Sequence, residues 1–179
     1  MLNRDSAVLV VIDFQEKLLP KIPVADALIR AAVKLIRFTR ELALPILWTE
    51  QYPKGLGATV DAIAGRLAGH SAMAKTSFGC FGDPGFRHAL SSTGRAQLIV
   101  TGIETHVCVM QTVIEALEHR CEVFVPRDAV ASRAKADHKA GLSRMKQAGA
   151  QLVTTEMAML EILREAGIPE FKRVLPLIK

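Results

Sequence analysis

Two apolar runs in this chain, AVLVVI and AQLIVT, do not alternate between apolar and polar residues. A strand with one exposed face alternates in that way, whereas a strand buried on both faces reads as a continuous apolar run. Longer amphipathic stretches separate these runs from several others, a pattern typical of a parallel sheet covered by helices. We therefore predict an α/β fold of three layers, with helices on both faces of a parallel sheet.

The same pattern gives the bounds of the predicted elements. Six strands are predicted at 7–12, 46–49, 71–74, 96–101, 122–125 and 151–154. Helices are predicted between them, at about 24–44, 59–67, 85–91, 107–119, 134–148 and 157–166. No repeat, linker or low-complexity segment divides the 179 residues, so we predict a single domain over positions 1–179.

Composition narrows the classes of function. No apolar run reaches the ~18 residues that a membrane span requires, so we expect no membrane partner. The net charge is +5, but the basic residues are scattered and aromatic residues make up only 5% of the chain, so we expect no nucleic-acid partner. The three cysteines fit neither a disulfide framework nor a zinc site, and we find no signal peptide. These features predict a cytoplasmic protein that acts on a small molecule.

Charged residues stand at the ends of two predicted strands. In an open parallel sheet, ligands bind beyond the carboxyl ends of the strands. Asp13 directly follows the first strand, and Lys75 directly follows the third. A carboxylate or ammonium beside an apolar strand is costly unless it is paired. Each residue alone can be a surface or capping charge, but together at one edge of the sheet they indicate a site.

Cys108 stands where a helix is predicted to begin after the fourth strand. The positive end of a helix and a nearby cation stabilise a thiolate, so we expect a lowered pKa and a nucleophilic role for Cys108. A carboxylate such as Asp13 can accept the thiol proton, and Lys75 can hold the thiolate. The alternative for a cysteine is a small buried apolar residue, and we assign that role to Cys80 and Cys121.

Five blocks of the sequence resemble the isochorismatase-like cysteine hydrolase superfamily, and specifically its isochorismatase-domain-containing branch. In chain order they are V-V-I-D-F-Q, T-E-Q-Y-P-K-G-L-G-A-T-V, A-K-T-S-F, G-I-E-T-H-V-C-V-M-Q-T and D-A-V-A-S-R. The resemblance covers nearly the whole chain. It implies a six-stranded parallel sheet in the order 3-2-1-4-5-6 and a catalytic triad formed by Asp13, Lys75 and Cys108.

The resemblance also implies the surroundings of the nucleophile. A cis peptide bond between Ile103 and Glu104 is expected to turn the amide of Glu104 toward the site. The backbone N–H groups of Glu104 and Cys108 would then form an oxyanion hole, which stabilises negative charge on a substrate oxygen. The residues that we expect to line the substrate pocket are Phe14, Gln15, Trp48, Gln51, Tyr52 and Phe78.

Two departures from the family pattern decide the subclass. Nicotinamidases of this superfamily bind a divalent metal through an Asp-x-His pair and a further histidine, but this chain has Glu50-Gln51-Tyr52 at that position. The five histidines show no ligand spacing, and we interpret His106 as a loop or interface residue. We therefore predict no metal and no cofactor. True isochorismatases, which cleave a vinyl ether, carry glycine where this chain has Cys108.

The prediction is a cysteine hydrolase that cleaves a C–N bond of a small amide or carbamoyl substrate through a thioester. One alternative is a catalytically degenerate scaffold that binds a partner protein, and another is a nicotinamidase. Apolar surface in the segments 129–148 and 174–178 predicts a homo-oligomer, either a dimer or a larger assembly.

Overall fold

A computed structural model describes residues 1–178 of the chain. Its strands are β1 (Ala7–Ile12), β2 (Ile46–Gln51), β3 (Met73–Lys75), β4 (Gln97–Ile103), β5 (Glu122–Pro126), β6 (Val130–Ala131) and β7 (Gln151–Val153). They form one sheet, in which six strands follow the order β3-β2-β1-β4-β5-β7 and every pairing is parallel. The short strand β6 lies off this path and pairs with the end of β4.

The predicted three-layer α/β fold is confirmed, with one correction to the strand count. The sixth predicted strand is β7, because β6 precedes it in the chain. β6 has only two residues, too few to stand out as an apolar run, and it exists because Gly102 and Ile103 of β4 pair with it. The order 3-2-1-4-5-6 therefore becomes 3-2-1-4-5-7.

Helices cover both faces of the sheet: α1 (Ala25–Glu41), α2 (Pro53–Leu56), α3 (Asp61–Ala64), α4 (Pro84–Thr93), α5 (Met110–Glu118), α6 (Lys135–Ala148), α7 (Thr155–Leu163) and α8 (Pro169–Ile178). The helix predicted at 59–67 is shorter than expected, because the chain leaves the helix at Gly65. The apolar segment 174–178 belongs to α8, in which Val174 and Leu177 are buried in the protein's own core. The sequence analysis had assigned this segment to an oligomer interface. Val174 and Leu177 instead pack inside the same chain.

The two faces of the sheet carry separate hydrophobic clusters. Leu9 and Val11 of β1 face the cluster formed with α1, α7 and α8, which we call the α1 face. Val8 and Val10 face the cluster formed with α4, α5 and α6, which we call the α5 face. Since β1 also pairs with β2 and β4 along its edges, all of its residues are buried. This explains why its sequence does not alternate.

The two central strands approach each other closely at their carboxyl ends. Ile12 of β1 is the register partner of Gly102 of β4, and Gly102 has a φ of +140°. A Cβ atom at Gly102 would lie 2.2 Å from the carbonyl oxygen of Ile12, so only glycine fits there. The residues that follow the two strands are consequently neighbours in space.

Within positions 1–178, no helix is both long and apolar enough to cross a membrane.

Candidate active site

Three elements bring Asp13, Lys75 and Cys108 to the carboxyl edge of the sheet. Asp13 directly follows β1, and Lys75 is the last residue of β3. Cys108 lies in a π-helical turn, Thr105–Val109, that leads from β4 into α5, and we call this segment the nucleophile turn after the role that the sequence predicts for Cys108. All three residues are buried, with relative exposures of 0%, 3% and 6%. The structure thus places together the three residues that the sequence singled out.

The ammonium of Lys75 is surrounded by oxygen acceptors. Its Nζ donates to Asp13 Oδ2 at 2.8 Å and to Gln51 Oε1 at 2.7 Å. The carbonyl oxygens of Phe78 and Ser77 lie 3.0 and 3.3 Å from the same nitrogen. A charge taken out of water is tolerated only with such partners. Lys75 is therefore held in one position.

The pKa of Lys75 follows from two opposing effects. Burial alone lowers it, because a buried ammonium is less well solvated than a neutral amine. The Asp13 carboxylate acts in the opposite direction, together with Cys108 and Cys80, and the pKa of Lys75 is raised overall. The ammonium therefore stays charged at neutral pH and forms an ion pair with Asp13.

Cys108 is a thiol rather than a thiolate in the resting protein. Burial raises the pKa of Cys108 above its ordinary value of 9.0, and the charge of Asp13 raises it further. The nearby charge of Lys75 lowers the pKa of Cys108, but by less than the charge of Asp13 raises it. The expected lowering of the Cys108 pKa is therefore wrong, because burial and Asp13 outweigh the ammonium.

A second cysteine, Cys80, belongs to the same site. It is fully buried, and its Sγ lies 3.9 Å from the hydroxyl of Thr49. That hydroxyl in turn donates to Asp13 Oδ1 at 2.9 Å. Burial raises the pKa of Cys80 to about 12, although Lys75 lowers it. Sequence reasoning missed Thr49 because its contact with Asp13 depends on the pairing of β2 with β1.

Glu104 lies just before the nucleophile turn. The peptide bond between Ile103 and Glu104 is cis, as the family resemblance implied. The carboxylate of Glu104 points to the start of α6, where it accepts a hydrogen bond from the backbone N–H of Arg133 at 3.0 Å and pairs with its guanidinium. The carbonyl oxygen of Glu104 accepts from the N–H groups of Val107 and Val109. Glu104 therefore fixes the nucleophile turn in two ways: its side chain bonds to Arg133, and its carbonyl oxygen bonds to residues of the turn itself.

Gln15 and Gln51 are buried and bonded to each other. The side chain of Gln15 donates from Nε2 to the carbonyl oxygen of Gln51 at 3.0 Å and accepts from the N–H of Gln51 at 2.8 Å. Gln51 in turn donates from its own Nε2 to the carbonyl oxygen of Thr76 at 2.8 Å. Since Gln51 Oε1 also accepts a hydrogen bond from Lys75 Nζ, the two glutamines help to fix the position of the ammonium.

The four aromatic pocket candidates divide between two environments. Phe14 is fully buried on the α1 face, and Trp48 packs against that face and donates from Nε1 to the hydroxyl of Thr59. Cys108 belongs to the opposite face, so Phe14 and Trp48 are not retained as pocket walls. Tyr52 and Phe78 are instead 53% and 54% exposed, and their backbones bond to Lys75. These two rings remain the candidate walls.

The possible metal ligands are dispersed. Within residues 1–178, no three His, Cys, Asp or Glu side chains are grouped closely enough to hold a metal ion. The Glu50 carboxylate accepts hydrogen bonds from the N–H and the hydroxyl of Thr59. His106 bonds through Nδ1 to the hydroxyl of Ser132 at 3.0 Å. The side chains of Glu50 and His106 are therefore already engaged in hydrogen bonds with other protein groups.

The chain matches known proteins over most of its length. Residues 7–157 match the family model of the isochorismatase domain. Isochorismatase domain-containing protein 2A of Mus musculus is 36% identical over 178 residues, which cover 98% of this chain and 84% of that protein. The structure of MAR1 ribonuclease from Caenorhabditis elegans has a TM-score of 0.93 and 38% identity, over 99% of this chain and 91% of that one. The YcaC gene product of Escherichia coli, an octameric hydrolase of unknown specificity, has a TM-score of 0.87 and 25% identity, over 98% and 94% of the two chains.

The fold and the buried cluster at its carboxyl edge define a three-layer α/β protein of the hydrolase type. The family model and the relatives make the class specific: the chain belongs to the isochorismatase family.

Proposed function

We propose that this protein is a metal-independent cysteine hydrolase that cleaves a C–N bond of a small amide or carbamoyl substrate. One observation carries the proposal: a buried ammonium–carboxylate pair, 2.8 Å from Lys75 Nζ to Asp13 Oδ2, lies beside the thiol of Cys108. A thiol, a base and a fixed positive charge are the components that acyl transfer through sulfur requires. Asp13, Lys75 and Cys108 are the proposed catalytic residues.

In the first half of the reaction, the thiol is activated only when the substrate is present. Asp13 accepts the proton of Cys108 while the sulfur attacks the carbonyl carbon and the carbonyl electron pair moves onto oxygen. Lys75 stabilises the negative charge that passes from the carboxylate to the sulfur. The backbone N–H groups of Glu104 and Cys108 are the proposed oxyanion hole, in which one donor typically contributes about 3 kcal/mol.

In the second half, the thioester is hydrolysed. The tetrahedral species expels the nitrogen of the substrate, which takes the proton held by Asp13 and leaves as an amine or ammonia. Water then loses a proton to Asp13 as it attacks the thioester carbon. When the C–S bond breaks, the sulfur takes that proton, and the acid product leaves a regenerated Cys108 thiol.

The burial of the cluster supports a small-molecule substrate. Asp13, Lys75 and Cys108 are each at least nine-tenths buried, so a bulky polymer would not reach them. Tyr52 and Phe78 supply exposed aromatic rings next to Lys75, and they suit an apolar or planar group on the acyl side. Three free cysteines, two of them buried, fit a reducing compartment such as the cytoplasm.

The assembly that we propose is a homo-oligomer. The octameric Escherichia coli YcaC supports it, and so do exposed apolar side chains such as Met157 and Leu160. Multi-angle light scattering at micromolar concentration should give a mass of at least two chains. A mass of one chain would contradict this part of the proposal.

A substrate panel tests the reaction. Purified protein is incubated with small aliphatic and aromatic amides, ureido acids and carbamoyl compounds, and released ammonia is measured. The expected result is turnover of at least one compound. This turnover should persist after chelator treatment and should be lost in Cys108→Ala. An RNA substrate belongs in the panel, because the Caenorhabditis elegans relative is named a ribonuclease. If RNA alone is cleaved, or if a partner protein binds and nothing is hydrolysed, the amide hydrolase proposal is wrong.

A further inference from the structure

A cavity of about 510 Å³ lies against β6, the strand that pairs with the carboxyl end of β4. Its walls come from the N-terminal end of α1, from β6 and from the first turns of α6. Most of the walls are apolar, formed by Val24, Ala27, Leu28, Val130 and Ala131. The cavity opens to the surface, and its volume and largely apolar lining suit a small molecule.

Two cations border the cavity. Among residues 1–178, neither Arg127 nor Lys135 has an acidic partner within 4.0 Å. The one carboxylate in the lining, Asp128, accepts a hydrogen bond from the N–H of Thr155 at 2.8 Å at the start of α7. Burial and then the charge of Arg127 lower the pKa of His138, which also lines the cavity. The lining therefore has a net positive charge with an apolar floor.

Two polar side chains of the cavity wall hold the nucleophile turn. His138 bonds through Nδ1 to the hydroxyl of Thr105 at 2.9 Å, and Ser132 bonds to His106 Nδ1 at 3.0 Å. Thr105 and His106 are the first two residues of the turn that contains Cys108. α6 also packs tightly here, since a Cβ atom on Gly141 would lie 2.9 Å from the Cα atom of His106. A molecule in the cavity would touch the groups that position the nucleophile.

We infer that this cavity is a second ligand site, which takes a small apolar carboxylate and alters the reactivity of Cys108 through His138 and Ser132. The carboxylate of the ligand pairs with Arg127 and Lys135, and its apolar body lies against Val130 and the side chains of α1. The influence on turnover rests on the proposed function. The binding itself does not.

Benzoate is the probe for binding, and benzyl alcohol, which has no amide bond to cleave, is its neutral counterpart. Isothermal titration should show that benzoate binds the wild type at least fivefold more tightly than the double variant Arg127→Met/Lys135→Met. Benzyl alcohol should bind both proteins equally. The matched control is Arg37→Met/Lys146→Met, which removes the same two charges at exposed positions outside the cavity. Benzoate can also enter the Cys108 site as a reaction product, and that binding would be the same in the wild type and in Arg127→Met/Lys135→Met. Equal binding of benzoate to these two proteins would therefore overturn the inference.

A second variant covers the case in which the charge changes disturb folding. Ala27→Trp fills the cavity from an exposed helical position, and it should block benzoate while leaving the thermal unfolding midpoint within a few degrees. If Ala27→Trp instead reduces the number of chains in the assembly, a second copy of the protein occupies the cavity and the inference is wrong.

The effect on the nucleophile is measured without any substrate. Saturating benzoate should change the rate of iodoacetamide labelling of Cys108 at least twofold in the wild type and leave it unchanged in Arg127→Met/Lys135→Met. Benzoate that binds through Arg127 and Lys135 without changing the labelling rate would overturn the effector role. Because neither readout requires turnover, failure of this inference is distinguishable from failure of the hydrolase proposal.

Discussion

The nucleophile turn and the loop 77–82 each bring a buried cysteine to the same ion pair. Thr112 of α5 joins them: its hydroxyl donates to the carbonyl oxygen of Cys108 at 2.7 Å and accepts from the N–H of Cys80 at 3.0 Å. Burial raises the pKa of both thiols. The second largest influence differs, since Asp13 raises the pKa of Cys108 whereas Lys75 lowers that of Cys80.

Under the proposed function, this difference means that a low resting pKa is not what makes Cys108 the nucleophile. Cys80 has the more favourable charge environment, but its thiol is enclosed and contacts the hydroxyl of Thr49 rather than a base. Cys108 lies near the carboxylate of Asp13, whose charge acts on its thiol. A thiol beside a base can be deprotonated during attack, so its resting pKa need not be low.

Removing either sulfur should give the largest contrast. Cys108→Ala should lower kcat on the best compound of the panel by at least about a thousandfold, since the covalent intermediate cannot form. Cys80→Ala should keep kcat within about threefold, because its thiol touches no reacting group. Steady-state ammonia release measures both. A folded Cys108→Ala protein that retains a tenth of the activity, or an inactive Cys80→Ala protein, would reverse the roles of the two cysteines.

The ion pair shared by the two cysteines should be the next most sensitive feature. Lys75→Met leaves the Asp13 carboxylate buried without its cation, and removing one partner of a buried pair costs about 3–5 kcal/mol in the free energy of unfolding. Adding Asp13→Asn should recover part of this loss, because no uncompensated charge remains. Urea unfolding followed by circular dichroism measures the three proteins. The control Lys54→Met changes an exposed lysine and should leave the stability unchanged. A stable Lys75→Met protein would show that the pair is not critical for folding.

The variant Asp13→Asn should have opposite effects on the alkylation rate of Cys108 and on turnover. Asp13→Asn removes a charge that raises the pKa of Cys108, so iodoacetamide should label Cys108 about fivefold faster at pH 7. The same variant should lose turnover, because the base is gone. Peptide mapping after timed alkylation gives the rate at each cysteine, with the half-buried Cys121 as the internal reference. Slower labelling of Cys108 in Asp13→Asn would mean that Asp13 does not act on the thiol in the direction seen here.

The smallest effect concerns stability at high pH. The pKa of Cys80 rises from 9.0 to about 12 on folding, so its stabilising contribution is complete below pH 9 and is lost as the pH rises from 9 toward 12. Over that range the unfolded chain binds fewer protons than the folded one, and the free energy of unfolding decreases. Cys80→Ala should make the free energy of unfolding decrease less steeply with pH. The change in slope corresponds to at most one proton released on unfolding. Urea midpoints measured between pH 8 and 10.5 test the slope, and identical slopes in the two proteins would contradict the assignment.

Much of the fold could be predicted from local patterns. The continuous apolar runs of β1 and β4 reflect burial on both faces, and strand-end logic found Asp13 and Lys75 from their positions alone. The short strand β6 could not be found in this way, because two residues carry no periodicity and pairing with β4 is a long-range event. Phe14 and Trp48 were misplaced for a related reason, since each faces the α1 side of the sheet and its neighbourhood depends on register.

The sequence by itself determined which residue types stand at the carboxyl edge of the sheet, because hydrophobic periodicity fixes where each strand ends. Only the tertiary structure decided how those residues act on one another. Lys75 reaches Asp13 across 62 positions of the chain, and Thr49 reaches it across 36. The pKa of a buried group depends on distances to such neighbours and on the water excluded around it, and neither quantity is local in sequence. For that reason the sequence could name Cys108, but only the fold shows that burial and the charge of Asp13 raise the pKa of its thiol.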